Sequence, residues 1–317
     1  MWQDRQAKLL KREIEDILFL LSDTPELFAI TTESINQTGQ GIIDECVNSH
    51  PWPLLLLVVC ESVSGSFKQA LPAAASFYLF KKAAEIFDDI EDSDSSESLS
   101  AKYGSAIATN VGTTLLILAE KTMSKLKTRG VEEKIIVDII DEVNSSFITA
   151  CSGQHLDLSN MLETGISEDK YIQISTMKSA SVTECACRIG AILATENKKL
   201  IDMFSKYGHY LGIASQIAND ILGITRESDI IKPKITLPII YAMNFLDDKA
   251  RCNLALWLNG QSEIALDSKD IKELLFQTGA IYYSTIKVEF YKQKAYEILS
   301  KLTNEKIYTH RLNLFLK

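Results

Sequence analysis

Leu71-Pro72-Ala73-Ala74-Ala75-Ser76-Phe77-Tyr78-Leu79-Phe80 leads within a few residues into Glu85-Ile86-Phe87-Asp88-Asp89-Ile90-Glu91-Asp92-Ser93-Asp94. The first segment is apolar on every side and reads as a buried helix. It delivers five carboxylates in the seven residues from Asp88 to Asp94. On a helix Asp88 and Asp92 share a face, and Asp89 stands about 100° round from Asp88. Like charges this close repel, so the cluster is either solvated or neutralised by cations. Carboxylate oxygens without histidine or thiolate suit a hard ion such as Mg²⁺. A water-bathed acidic helix end is the plainer alternative.

The same apolar periodicity extends along the chain. Helical spacing recurs at 8–21, 28–46, 54–63, 71–90, 107–126, 132–158, 167–195 and 199–223, and again near 271–276 and 282–302. Ser49-His50-Pro51-Trp52-Pro53 is the clearest break before the acidic motif, and the serine- and acid-rich stretch 93–100 reads as a mobile loop. Pro233 and Pro238 place a loop before a fresh helix. With six prolines and fourteen glycines in 317 residues, a turn-rich β fold is disfavoured. The expected architecture is all-α: one domain over 1–317, a bundle of about ten or more helices around a central apolar cavity.

Composition narrows the function. A net charge of −9 argues against binding a nucleic-acid backbone. A polyanionic substrate could then be handled only through metal or a few lysines. The six cysteines show neither CxxC nor zinc spacing. With no signal peptide evident at the start, they read as reduced thiols of a cytoplasmic protein. The longest apolar run, 54–60, is too short to span a bilayer.

A second acidic face follows in Gln216-Ile217-Ala218-Asn219-Asp220-Ile221-Leu222-Gly223-Ile224-Thr225-Arg226-Glu227. Asn219, Gly223 and Glu227 recur at four-residue steps, drifting about 80° in all, so they share a face with Asp220 at its edge. Two oxygen ligands are thus offered two turns apart, across a gap at Gly223. An ordinary amphipathic helix explains this segment alone equally well. Two such faces, each closing an apolar helix, suit a metal site in a bundle core.

At these motifs the chain resembles the trans-isoprenyl diphosphate synthase (polyprenyl synthetase) superfamily, with its class I terpenoid fold. Asp88-Asp89-Ile90-Glu91-Asp92 looks like the first aspartate-rich motif, and Asn219-Asp220-Ile221-Leu222-Gly223 stands where the second belongs. Gly153-Gln154-His155-Leu156-Asp157 resembles the GQxxD element, and Tyr171 to Lys178-Ser179 the lysine-bearing helix. Lys234-Ile235-Thr236-Leu237-Pro238-Ile239-Ile240-Tyr241-Ala242 is close to KxTLPxxYA. Within the superfamily the look is nearest to ComQ-type bacterial prenyltransferases, which prenylate a tryptophan of a peptide.

The resemblance implies an enzyme that ionises an allylic prenyl diphosphate with about three Mg²⁺ ions. Asp88, Asp89 and Asp92 would hold ions on one wall, and Asn219, Asp220 and Glu227 on the other. Lys178 and Lys234 would neutralise the departing diphosphate, with Lys232 a near competitor for the second role. Gln154 and Gln216 would orient it. Ala83 and Ala84 would admit the chain, and Phe80 and Phe77 would form its floor at farnesyl or geranylgeranyl length. A homodimer is implied too.

The chain also departs from the pattern. Chain-elongating members carry a basic GKR-type element before the first motif and paired arginines after it. Here those places read Asn48-Ser49-His50-Pro51-Trp52-Pro53 and Ser93-Asp94-Ser95-Ser96-Glu97-Ser98. A second diphosphate would meet negative charge there. The expectation is a prenyl transfer to a non-isopentenyl acceptor, a peptide or small molecule, as in ComQ-type enzymes. A terpene synthase cyclising the same substrate is the alternative. A non-catalytic regulatory subunit is the reading from another class.

Overall fold

The computed structural model describes residues 2–36, 52–92, 97–160, 167–231, 233–259, 268–305 and 307–316, apart from the side chains of residues 2–4, 92 and 160. Every regular element among them is helical. In order these are α1 (Trp2–Leu18), α2 (Pro25–Asn36), α3 (Trp52–Ser64), α4 (Leu71–Asp92), α5 (Leu99–Tyr103), α6 (Ser105–Met123) and α7 (Glu133–Asn160). Then come α8 (Glu168–Ser175), a π-helical turn (Thr176–Ala180), α9 (Ser181–Ile192), α10 (Lys198–Thr225) and α11 (Ser228–Ile231). The C-terminal part holds α12 (Leu237–Phe245), α13 (Asp248–Leu258), α14 (Ser268–Gln277) and α15 (Ala280–Asn304).

Helix α4 is the axis, as its apolar sequence requires. From Ala73 to Ala83 no side chain is more than 6% exposed. It packs against α6, α3 and α1, while α9 links α3 and α7 to α10, which lies along α15. Each fully buried Leu or Phe of such a core stabilises the fold by about 1.5–3 kcal/mol. Lys81 and Lys82 lie inside this buried run at 5% and 3% exposure, both on the Glu85 carboxylate at 2.6 and 3.0 Å. The shared carboxylate offsets part of the cost of burying the two charges.

The four residues expected to shape a prenyl pocket divide. Phe77 and Phe80 are buried, and both rings meet Phe147 of α7, at centroid distances of 6.1 and 4.4 Å. Ala83 is buried in the core, whereas Ala84 is exposed. These aromatic rings fill one another's space on the deeper part of α4, so the open cavity lies at the polar helix ends instead.

Three helices were not anticipated, the shortest of them α11. Ser98 Oγ accepts from the Ala101 amide at 3.1 Å and starts α5 inside the stretch read as a loop. Asp247 caps α13 by accepting from the Ala250 amide at 2.8 Å, and its Leu254 and Trp257 bury themselves against α14 residues Ile271 and Leu275. The break at 49–51, most of the acidic loop at 93–96 and Lys232 lie outside the described residues. No helix among the described residues is long and apolar enough to cross a membrane.

Candidate active site

Asp88 is at the C-terminal end of α4, where helix α7 and the π turn converge on it. Gln154 Nε2 of α7 donates to Asp88 Oδ1 and to Glu91 Oε2, each at 2.9 Å. One turn further along α7, Asp157 Oδ2 accepts from Lys178 Nζ at 2.8 Å. Lys178 Nζ is also 3.9 Å from Asp88 Oδ1. Burial alone would lower the Lys178 pKa, but the charges of Asp157 and Asp88 outweigh it and the net shift is upward. The lysine is therefore a fixed cation at neutral pH.

Lys178 lies where the helix is locally under-wound. Thr176–Ala180 forms a π turn inside the run from α8 to α9. Such turns concentrate at functional sites because they re-aim a side chain without ending the helix. Gly153 permits it: a Cβ there would stand 2.4 Å from the Lys178 backbone nitrogen.

The facing wall comes from α10 and the segment after it. Asp220 is 7% exposed, and both its oxygens are engaged, by Tyr171 Oη at 2.6 Å and Gln216 Nε2 at 2.8 Å. Its pKa is pushed up to about 7: burial raises it most, those two hydrogen bonds lower it, and the charges of Asp229 and Asp157 raise it. Gln216 accepts in turn from the Ser179 hydroxyl. Asp88, Asp157 and Lys178 on one side meet Asn219, Asp220 and Asp229 on the other around a cavity of about 280 Å³. Lys234 and Thr236 also line it.

Of the residues singled out in the sequence, the cavity brings together Asp88, Lys178, Gln216, Asn219, Asp220 and Lys234. Asp89 is half-buried on α4 but does not line it, and the Asp92 side chain lies outside the described residues. Gln154 serves the carboxylates of α4 rather than the cavity. Glu227 stands apart: its backbone is left-handed, with φ 70°, and its carboxylate holds Lys272 Nζ of α14 at 2.6 Å. The helical register placing it beneath Asn219 fails because α10 ends at Thr225.

A family model described as polyprenyl synthetase matches residues 52–275, which covers both walls of this cavity. The chain belongs to the polyprenyl synthetase family. A geranylgeranyl diphosphate synthase of Methanosarcina mazei is 28% identical over 203 residues, 60% of this chain and 62% of that one. The match therefore spans less than two thirds of that relative. The tryptophan prenyltransferase ComQ of Bacillus spizizenii is 27% identical over 237 residues, covering 73% of this chain and 80% of ComQ. The fold matches geranylgeranyl pyrophosphate synthetase from Pyrococcus horikoshii with a TM-score of 0.84 at 21% identity, over 99% of this chain and 94% of that one.

Polyprenyl synthetases are Mg²⁺-dependent in general, and the donor set here fits that ion. Among the described residues the cavity offers oxygen donors from both walls and no thiolate or imidazole. Among the described residues no three acidic, histidine or cysteine side chains stand close enough to share one ion alone. That arrangement suits Mg²⁺, which keeps waters and is commonly held by one or two carboxylates plus substrate phosphate oxygens.

Seven cavity residues were not assigned a role from sequence, among them the polar Asp157, Tyr171, Asp229 and Thr236. Asp157, Tyr171 and Thr236 each sit inside a motif quoted for the resemblance, so the signal was there. Asp229 lies in the Ser228-Asp229 stretch that also supports the ComQ-type resemblance, but its place in the cavity depends on how the chain turns after α10.

Proposed function

We propose that this polyprenyl synthetase ionises an allylic prenyl diphosphate of farnesyl or geranylgeranyl length and transfers the prenyl group to an acceptor other than isopentenyl diphosphate. The observation that carries the reading is Lys178, fixed between Asp157 and Asp88 in a cavity shared with Lys234. Cations set among carboxylates in this way suit a substrate that arrives as a metal diphosphate.

Asp88, with Asp89 and Asp92 beside it, would hold ions on one wall, and Asn219 and Asp220 on the other. Bound Mg²⁺ supplies Lewis-acid neutralisation of the departing charge. Lys178 and Lys234 add fixed positive charge where negative charge develops on the leaving oxygen. The allylic C–O bond breaks with its electron pair going to diphosphate. The acceptor then forms the new bond with its own electron pair and gives up a proton, as an indole carbon does. One domain over 1–317 working as a homodimer is the expected form.

Support for the unusual acceptor comes from the cavity's cations. Among the described residues its basic side chains are Lys178 and Lys234, and a single diphosphate would occupy both. Chain elongation with isopentenyl diphosphate is the second reading. It is favoured by Lys81 and Lys82, two further cations within two turns of Asp88 that were passed over in the sequence.

Incubation with Mg²⁺ and farnesyl or geranylgeranyl diphosphate separates these outcomes by mass spectrometry of the products. Prenylated peptide on adding a tryptophan-containing peptide supports transfer. Longer prenyl diphosphates on adding isopentenyl diphosphate support elongation. Hydrocarbons or alcohols from the allylic substrate alone mean a terpene synthase, and no product under any condition would favour a regulatory subunit.

A further inference from the structure

Position 223 is where the second aspartate-rich motif would carry its third acid, and glycine stands there. Its empty side-chain space is filled from elsewhere: a Cβ built on Gly223 would lie 2.0 Å from Asp229 Oδ2 and 2.4 Å from its carboxyl carbon. Asp229 belongs to α11, which folds back over the end of α10 after the left-handed turn at Glu227. The turn does two things at once. It swings Glu227 out to Lys272, and it brings Asp229 in to line the cavity with Asn219 and Asp220.

We propose that Asp229, entering through the gap at Gly223, is the carboxylate that completes the cation-holding second wall in place of Glu227. The assignment rests on the diphosphate reading given above. Asp220 sits deeper, with each oxygen already accepting a hydrogen bond from Tyr171 or Gln216. Asn219 is neutral, so without Asp229 the charge this wall offers a cation among the described residues would come from the deeper Asp220. A second observation points to a ligand in the same place. Thr236 lines the cavity at 4% exposure, and its hydroxyl is buried without a hydrogen-bond partner among the described residues. A buried hydroxyl is costly to leave unpaired, and a diphosphate oxygen in the cavity would accept from it.

The test is Mn²⁺ binding to the full chain in the presence of inorganic diphosphate, followed by electron paramagnetic resonance. Asp229→Asn removes the charge at constant shape. Gly223→Ala keeps the charge but displaces it, while putting a better helix former into α10. Thermal melting without metal confirms that each variant is folded. Both should weaken Mn²⁺ binding by about tenfold or more, and Glu227→Gln by less than about twofold. Wild-type binding that survives in Asp229→Asn, or a loss in Glu227→Gln as large as in Asp229→Asn, overturns the assignment alone. A wild-type protein that binds no Mn²⁺ with diphosphate overturns the diphosphate reading and this inference with it.

Discussion

Gly153 lies against the backbone of Lys178, so close that a Cβ at 153 would stand 2.4 Å from the lysine nitrogen and 2.9 Å from its Cα. The GQxxD element and the lysine-bearing turn are therefore one unit. Helix α7 brings Asp157 to the lysine ammonium only because residue 153 has no side chain. Since the obstructing atoms are backbone, Gly153→Ala cannot be relieved by a rotamer change. It should destabilise the protein by about 1–3 kcal/mol, as overpacking does. It should also lower diphosphate release by more than the stability loss explains. Denaturant melts beside steady-state rates check this.

In the proposed reaction Lys178 would supply positive charge at the leaving group, so Lys178→Ala should slow diphosphate release by about 10²–10³-fold. Asp157→Asn keeps the lysine but removes its 2.8 Å anchor, and should cost less. Lys178→Arg should rescue poorly, because a planar fork does not match a site shaped around a single ammonium. Single-turnover rates at saturating substrate read all three.

Glu168 at the start of α8 ties the lysine-bearing segment to α15. It accepts from Lys287 Nζ at 2.6 Å and from the Tyr283 hydroxyl. Burial works to raise its pKa, but those two partners prevail and hold it below the ordinary 4.5. A lowered carboxylate pKa contributes stability that is present above the unfolded-state value and is lost as pH falls through the folded one. The wild-type protein should therefore lose stability below about pH 4.5 more steeply than Glu168→Gln. Melting temperatures from pH 3 to 7, as on the order of a dozen points, would reveal parallel curves if Glu168 plays no such part.

Phe80 closes the deep end of α4 by stacking on Phe147 at 4.4 Å. Phe80→Ala should cost about 3–5 kcal/mol, and the space it opens should shift preference toward a longer prenyl diphosphate. Relative turnover of geranylgeranyl over farnesyl diphosphate should rise. An unchanged ratio would place the prenyl chain elsewhere.

The two acidic faces of this site can be read from residue spacing, and its lysines from the resemblance to the family's motifs. The all-helical fold follows from the apolar periods, and α4 from a run apolar on every side. Asp88, Asn219, Asp220, Lys178 and Lys234 converge as their motifs imply. Failures came where the chain stops being periodic. Glu227 shares a face with Asn219 only if α10 continues, and the left-handed residue at 227 ends that register. Asp229 is three-dimensional information, visible only once α11 folds back onto Gly223. Lys81 and Lys82 look like surface charges beside an acidic motif, yet the core encloses them, with the Glu85 carboxylate shared between the two.

The most direct test of a cavity built for one diphosphate is calorimetric titration with Mg²⁺ and a non-ionising thio-analogue of farnesyl diphosphate, followed by isopentenyl diphosphate. The expected result is Mg²⁺-dependent binding of the analogue at one site per chain, with no further heat from isopentenyl diphosphate. Saturable binding of isopentenyl diphosphate to the analogue-loaded protein, abolished by Lys81→Ala or Lys82→Ala, would contradict it and make the protein a chain-elongating synthase.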